Sequence, residues 1–245
     1  MMRNENMIEP LNPQCVQTSV STCTGNLLEL FAGSRCMGQE AESLGMNVFS
    51  VDWTNYENID LSIDIENLNK EQVPFIPSHV HASFDCTTYT IAAISTHRNG
   101  TEPKSEYAKK CDKVNQHVIS LIKEWLKINP EMTFTFENPR GMLRHMPFMQ
   151  EFTRHTVWYC QYGDDRAKPT DIWTNLKNWK PKEMCRNYKY DKNGNIIDKH
   201  CHHESARRGA KTGTQGKKGS YERSKMPKEL CHELLKSSLE AINVV

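Results

Sequence analysis

A doubly wound α/β fold, with a mostly parallel sheet and a small basic insert, is what this chain of 245 residues predicts. Three observations carry that expectation. From Asn26 onward, short apolar runs rich in β-forming residues alternate with stripes of helical period. Several of the runs end in chemically useful groups, as strands do when a site gathers at the C-terminal rim of a parallel sheet. After Asn175 the alternation stops and a polar, basic stretch takes over.

Taken in order, residues 1–24 are polar, rich in Asn, Gln, Ser and Thr and without period, and read as a flexible tail. Asn26 to Phe31 reads as a buried strand, Arg35 to Leu44 as a short helix closed by Gly45, and Met46 to Trp53 as a second strand ending in an acid. Ser78 to Phe84 is a third. The stretch from Lys104 to Asn129 carries Val114, Val118, Leu121, Ile122 and Trp125 on one helical stripe, and Pro130 stops it. Met132 to Asn138 and His155 to Tyr162 are further β-rich runs. An Asn193-Gly194 turn between two short β-rich pieces predicts a hairpin. A last helix starts at Pro227 and presents Leu230, Leu234, Leu235 and Ile242. The expected organisation is a tail (1–24), a main catalytic domain (25–175), a basic insert (176–220) and a C-terminal helix (221–245) that packs back on the main domain.

Composition narrows the partners. Nine cysteines without a regular framework, and no stretch resembling a secretion signal, predict reduced thiols and a cytoplasmic location. No apolar run approaches the roughly 20 residues of a membrane span. The net charge of +1 hides an asymmetry: Arg166 to Lys228 holds 17 lysines and arginines against 6 carboxylates, leaving 14 against 24 elsewhere. That concentration, interleaved with Trp173, Trp179, Tyr188, Tyr190 and Tyr221, suits phosphate contact with base stacking, so nucleic acid is the expected partner.

Four stretches carry chemistry. In "LLELFAGSRCMGQEAESLGMNVFSVDW", a strand, a turn with Gly33, a helix and a strand ending in Asp52 form a cofactor cradle: Gly lets the backbone come close, and an acid about 20 residues on accepts ribose hydroxyls. "SFDCTTYT" offers Cys86 just past a strand. "ENPRG" supplies Glu137, and "QYGDDRAKPTDIW" supplies Arg166 and Lys168.

Together and in this order, with a closing "RSKMPKEL", these stretches resemble the DNA (cytosine-5) methyltransferases, and most closely their short, phage-type solitary members. The resemblance covers roughly residues 26 to 242. It implies a Rossmann-like class I methyltransferase fold, S-adenosyl-L-methionine as cofactor, duplex DNA with a flipped cytosine as substrate, short or relaxed sequence preference, and a role such as shielding a phage or host genome from restriction. Cys86 then supplies the thiolate that adds to carbon 6 of cytosine. Glu137 holds or protonates ring nitrogen 3, and Arg166, or Lys168 two residues on, grips the base oxygen. Phe31, Gly33, Asp52, Trp53, Asp64 and Ser83 are the implied cofactor residues. Thr90 is an implied backbone contact to DNA, and Arg207, Arg208 and Lys211 are the clamp expected from the basic insert.

The chain departs from the family at Phe84 and Asp85, which stand where the family has two prolines, and at Arg35, where it tends to have glycine. An anion beside Cys86 disfavours the thiolate, and a loop without prolines is expected to be less preorganised. Two other readings therefore stand beside the first: the same chemistry on a tRNA cytosine, or a methyltransferase fold that binds DNA without turnover. Cys185, Cys201, His202 and His203 in the insert are of zinc-ligand type, but the spacing is not that of a standard finger and scattered cysteines read first as packing residues, so no metal site is assigned.

Overall fold

The computed structural model describes residues 25–186, 188–199, 201, 203, 217 and 219–242. The expected tail, His202, and the clamp residues Arg207, Arg208 and Lys211 lie outside them. The opening strand β1 (Asn26–Leu30) is followed by helix α1 (Cys36–Ser43) and strand β2 (Asn47–Asp52), with a two-residue edge strand β3 (Leu61–Ser62) beyond. Strand β4 (His79–Ser83) leads through a loop to the short helix α2 (Ile94–His97) and a small hairpin of β5 (Arg98–Asn99) and β6 (Glu102–Pro103). Helix α3 (Glu106–Ile128), begun by Ser105 whose hydroxyl accepts the Ala108 N–H, feeds β7 (Thr133–Pro139). Then come β8 (Arg154–Trp158), a 3-10 turn at Tyr159–Tyr162, and β9 (Pro169–Thr174). The hairpin β10 (Tyr188–Tyr190) and β11 (Ile196–Lys199) stands where the Asn-Gly turn predicts it, and α4 (Ser220–Ser224) and α5 (Lys228–Ile242) close the described chain.

Among the described residues the main sheet has seven strands in the order β3-β2-β1-β4-β7-β9-β8. All neighbouring pairs from β3 to β7 are parallel, and β9 runs antiparallel between β7 and β8. This is the expected doubly wound, mostly parallel sheet of an α/β fold. Its strand order reverses between β1 and β4, and a crevice opens at such a point at the strands' C-terminal ends.

Alternation along each strand sorts the core into two layers. Leu28, Leu30, Val80, Ala82, Phe134 and Phe136 point to the face covered by α3, whose Val114, Val118, Leu121, Ile122 and Trp125 are all buried there. Leu27, Val157 and Ile172 point to the other, with Met37 and Ala41 of α1 and Leu230, Leu234 and Leu235 of α5. The C-terminal helix thus docks on the sheet through the apolar stripe read from the sequence. The same face carries a polar file: Ser238 and Thr133 hydroxyls at 2.6 Å, then His79 between Thr133 and Thr135, then His81 between Thr135 and Ser83.

One expectation needed correction. The run from His155 to Tyr162 leaves the strand at Trp158 and coils into a 3-10 turn, and Arg166 lies in the loop before β9. No helix among the described residues is long and apolar enough to cross a membrane.

Candidate active site

Strands β4 and β7 pair with Ser83 opposite Glu137, and the chain then leaves the sheet towards Cys86. Phe84 fixes the departure. Its N–H donates to the Glu137 carbonyl at 3.2 Å, its carbonyl accepts from the Asn138 side-chain amide at 2.7 Å, and its ring packs on Phe31 and Phe136. The Asp85 carboxylate accepts the Thr87 N–H at 2.7 Å and the Tyr107 hydroxyl of α3. Further on, Thr88 and Tyr89 are fully buried, and the Tyr89 hydroxyl donates to Asp112 at 2.6 Å. Arg98 joins that network, with Asp112 at 2.6 Å, the Thr88 carbonyl at 2.9 Å and the Tyr89 ring beneath it. Gly141 of the Glu-Asn-Pro-Arg-Gly stretch lets the Tyr89 carbonyl approach so closely that a Cβ there would stand 2.4 Å from it. The loop expected to be loose without prolines is held by side chains instead.

The Cys86 thiol is pushed up to about 11. Burial is the largest cause, the Glu137 carboxylate comes second and Asp85 third, while the Lys168 ammonium works the other way. The anionic neighbour acts in the expected direction, but the site itself contributes more. Glu137 is buried, accepts the Tyr159 hydroxyl at 2.8 Å, and has the Lys168 ammonium 3.7 Å from the same oxygen. Lys168 also sits 4.5 Å from the centre of the Tyr159 ring. Tyr159, which the apolar run of the sequence places inside a strand, is therefore the hub between the acid and the cation.

Arg166 is placed differently from its expected role. Its guanidinium is held by the Asp164 carboxylate at 2.7 and 2.5 Å and by the carbonyls of Arg223 and Lys225 at 2.9 and 3.1 Å. Burial works to raise the pKa of Asp164, and the bonds from Arg166 outweigh it and hold that carboxyl below its usual range. Of the two cations offered for the base oxygen, Lys168 is the one beside Glu137.

At the switch point the chain turns out of β1 through Phe31, Gly33 and Arg35, all with positive φ near 50°. Arg35 thus holds the left-handed conformation that favours glycine, the residue more usual there in the family it resembles. Gly33 N–H and Thr54 N–H donate to the two Asp52 oxygens at 3.0 and 2.8 Å, which ties the turn to the end of β2. Burial raises the Asp52 pKa against those bonds. Phe31, Gly33, His81 and Ser83 line a cavity of about 30 Å³, covered by Ser224 and Met226. A nucleoside needs several hundred cubic ångströms, more than this cavity holds. Trp53 is 74% exposed. Asp64 caps the 3-10 turn at Ile65–Asn67 and pairs with Lys110 at 2.5 Å, which holds its carboxyl below the ordinary range. Thr90 lies half-buried at the far end of the Cys86 loop.

Two features lie outside this rim. A cleft of about 690 Å³ lies between α1, the Tyr162–Asp165 turn and α5, and none of Cys86, Glu137 and Lys168 lines it. The insert's cysteines do converge: Cys160, Cys185, Cys201 and His203 bring their ligand atoms within 4.8 Å of one another. Cys160, read from the sequence as a packing residue, belongs to this group.

No family model matches the sequence, and no curated protein matches it. Among solved structures, the chain is similar to a mutant of the DNMT2 of Spodoptera frugiperda, with 16% identity and a TM-score of 0.42 over 65% of this chain and 53% of that one. The chain spans about half the length of that structure.

Proposed function

We propose that this protein is an S-adenosyl-L-methionine-dependent methyltransferase acting on carbon 5 of cytosine in DNA. The observation that carries the reading is the meeting of Cys86, Glu137 and Lys168 on the rim beside the Gly33 turn. Carbon 5 of cytosine is a poor nucleophile. Addition of the Cys86 thiolate to carbon 6 makes it electron-rich, provided negative charge on the ring is met by a proton or a cation. In this reading Glu137, whose carboxyl accepts the Tyr159 hydroxyl, holds ring nitrogen 3, and Lys168, 3.7 Å from that carboxyl, meets charge on the base oxygen. None of these atoms reaches a base inside a duplex, so the base must be flipped out.

The residues at the switch point suit the cofactor. Phe31 and Gly33 form the turn, Ser83 faces it from β4, and the Asp52 carboxylate, which accepts the Gly33 and Thr54 N–H groups, has acceptor capacity for further donors. Bound there, S-adenosyl-L-methionine supplies an electrophilic methyl group. Asp64 can serve only after releasing Lys110, and the exposed Trp53 only by folding over the ligand.

The test is transfer of labelled methyl from the cofactor to duplex DNA and, in parallel, to tRNA, followed by base analysis. Label in 5-methylcytosine of DNA is expected. Label confined to tRNA would move the substrate but keep the chemistry. Label in adenine, or DNA binding without turnover on either nucleic acid, would overturn the reading. DNA containing 5-fluorocytosine should trap a covalent complex through Cys86, absent in Cys86→Ser.

A further inference from the structure

We propose that Cys160, Cys185, Cys201 and His203 form a zinc site that pins the root of the basic insert to the main sheet. Three thiols and an imidazole put one ligand atom each within 4.8 Å of all the others, and Cys185 Sγ lies 3.6 Å from His203 Nδ1. A tetrahedral zinc with bonds of about 2.3 Å to sulfur and 2.0–2.1 Å to nitrogen has edges of about 3.8 and 3.6 Å, so the group needs only a slight contraction to close on the ion. Cys160, Cys201 and His203 are each less than 10% exposed, so the site would be closed to substrate, as structural zinc sites are.

Packing alone explains this cluster poorly. Among the described residues no cysteine is in a disulfide, so no covalent link accounts for the convergence of these sulfurs. Gln161 aims its side-chain amide at both Cys160 and Cys201, 3.9 Å from each sulfur, the donor arrangement that metal-bound thiolates receive from their surroundings. Zinc would bind by replacing the three thiol protons, which pass to solvent.

The ligands' places in the chain give the site its role. Cys160 lies in the turn after β8, next to Tyr159, while Cys185 precedes β10 and Cys201 and His203 follow β11. One ion would therefore clamp both ends of the hairpin against the turn that carries the partner of Glu137. The soft and borderline donor set, three sulfurs and one nitrogen, favours zinc over magnesium or calcium.

The full chain, purified with zinc in the medium, should carry about one zinc per molecule by elemental analysis. Cobalt in its place should show the intense visible bands of a tetrahedral thiolate site. Cys160→Ser and Cys201→Ser should lose most of the metal, and Cys111→Ser should keep it. Because those variants could misfold, the unaltered chain is also titrated with a thiol reagent. Zinc should protect three thiols, and a chelator should expose them and speed proteolysis between residues 176 and 220. A chain with no zinc, whose thiols react at one rate with and without added zinc, would overturn the proposal. So would iron with sulfide, or a disulfide among the three cysteines. None of these readouts depends on methyl transfer.

Discussion

At pH 8 a thiol titrating near 11 is ionised to roughly one part in a thousand, so Cys86 in the free protein is held almost wholly as the neutral thiol. Burial sets most of that shift, and Glu137 and Lys168 modulate it with opposite signs. Alkylation of Cys86, followed by peptide mass spectrometry, should accelerate about tenfold per pH unit between pH 8 and 10. Glu137→Gln should move that profile to lower pH and Lys168→Met to higher pH, since the carboxylate raises the thiol and the ammonium lowers it. Shifts in the same direction would mean that the pair does not act on Cys86. A second residue-scale contrast separates the two cations. Arg166→Met removes the guanidinium that the Asp164 carboxylate and two backbone carbonyls hold and should cost about 3–5 kcal/mol of stability in denaturant unfolding. Lys168→Met should leave the unfolding midpoint closer to that of the parent while lowering methyl transfer by roughly 100-fold or more. The reverse pattern would return Arg166 to the catalytic role expected from sequence.

Strands β4 and β7 carry a prediction of their own, because His79 and His81 are sealed between them and burial pushes both down to about 3. The unfolded chain takes up those protons near pH 6.5 and the folded one does not, so their stabilising contribution is whole above 6.5 and drains away as pH falls towards 3. Between pH 8 and 5 each should cost on the order of 2 kcal/mol. Glu29, raised to about 7 by burial behind α1, acts oppositely: its contribution is present below 4.5 and is lost as pH rises through 7. The histidine share is therefore read as a difference. The stability gap between the parent and His79→Gln with His81→Gln should narrow steadily from pH 7 to 5, and a constant gap would show that the two rings are protonated in place. Elements of this kind were legible where local period and burial agree, as in α3 and α5. Strand β9 was not, because Pro169–Thr174 is short and gains its place only by inserting antiparallel between β7 and β8, a long-range event that no local pattern records. Tyr159 and Cys160 were missed for a related reason: the apolar run from His155 continues through them while the chain has already turned at Trp158. The positions of Cys86, just past β4, of Asp52, at the end of β2, and of Glu137, near the end of β7, follow from the strand pattern, whereas the Arg98–Asp112–Tyr89 brace joins three segments with no shared motif.

Across the whole molecule the charges divide, with an excess of eleven positive charges from Arg166 to Lys228 and an excess of ten negative ones elsewhere. A polyanion is drawn to one part of the chain and repelled by the rest, which orients it before any base is read. The positive segment begins at the loop carrying Lys168, so phosphates held by it would lie close to the rim where Cys86 and Glu137 stand. Affinity for duplex DNA should then fall steeply with salt, the logarithm of the binding constant declining by about 0.9 per neutralised phosphate for each logarithmic unit of salt. Replacing Arg207, Arg208 and Lys211 with glutamate should flatten that slope by roughly 1 for each phosphate no longer neutralised and weaken binding to all sequences alike. Binding of S-adenosylhomocysteine, measured by calorimetry on the same variant, should not change, because Phe31, Gly33 and Asp52 stand on the opposite part of the chain's charge division. If the slope stays as it was while affinity falls, the three residues act through folding of the insert. If neither changes, the phosphates are held by the sheet's rim, where Lys168 is the cation beside Glu137 and Cys86.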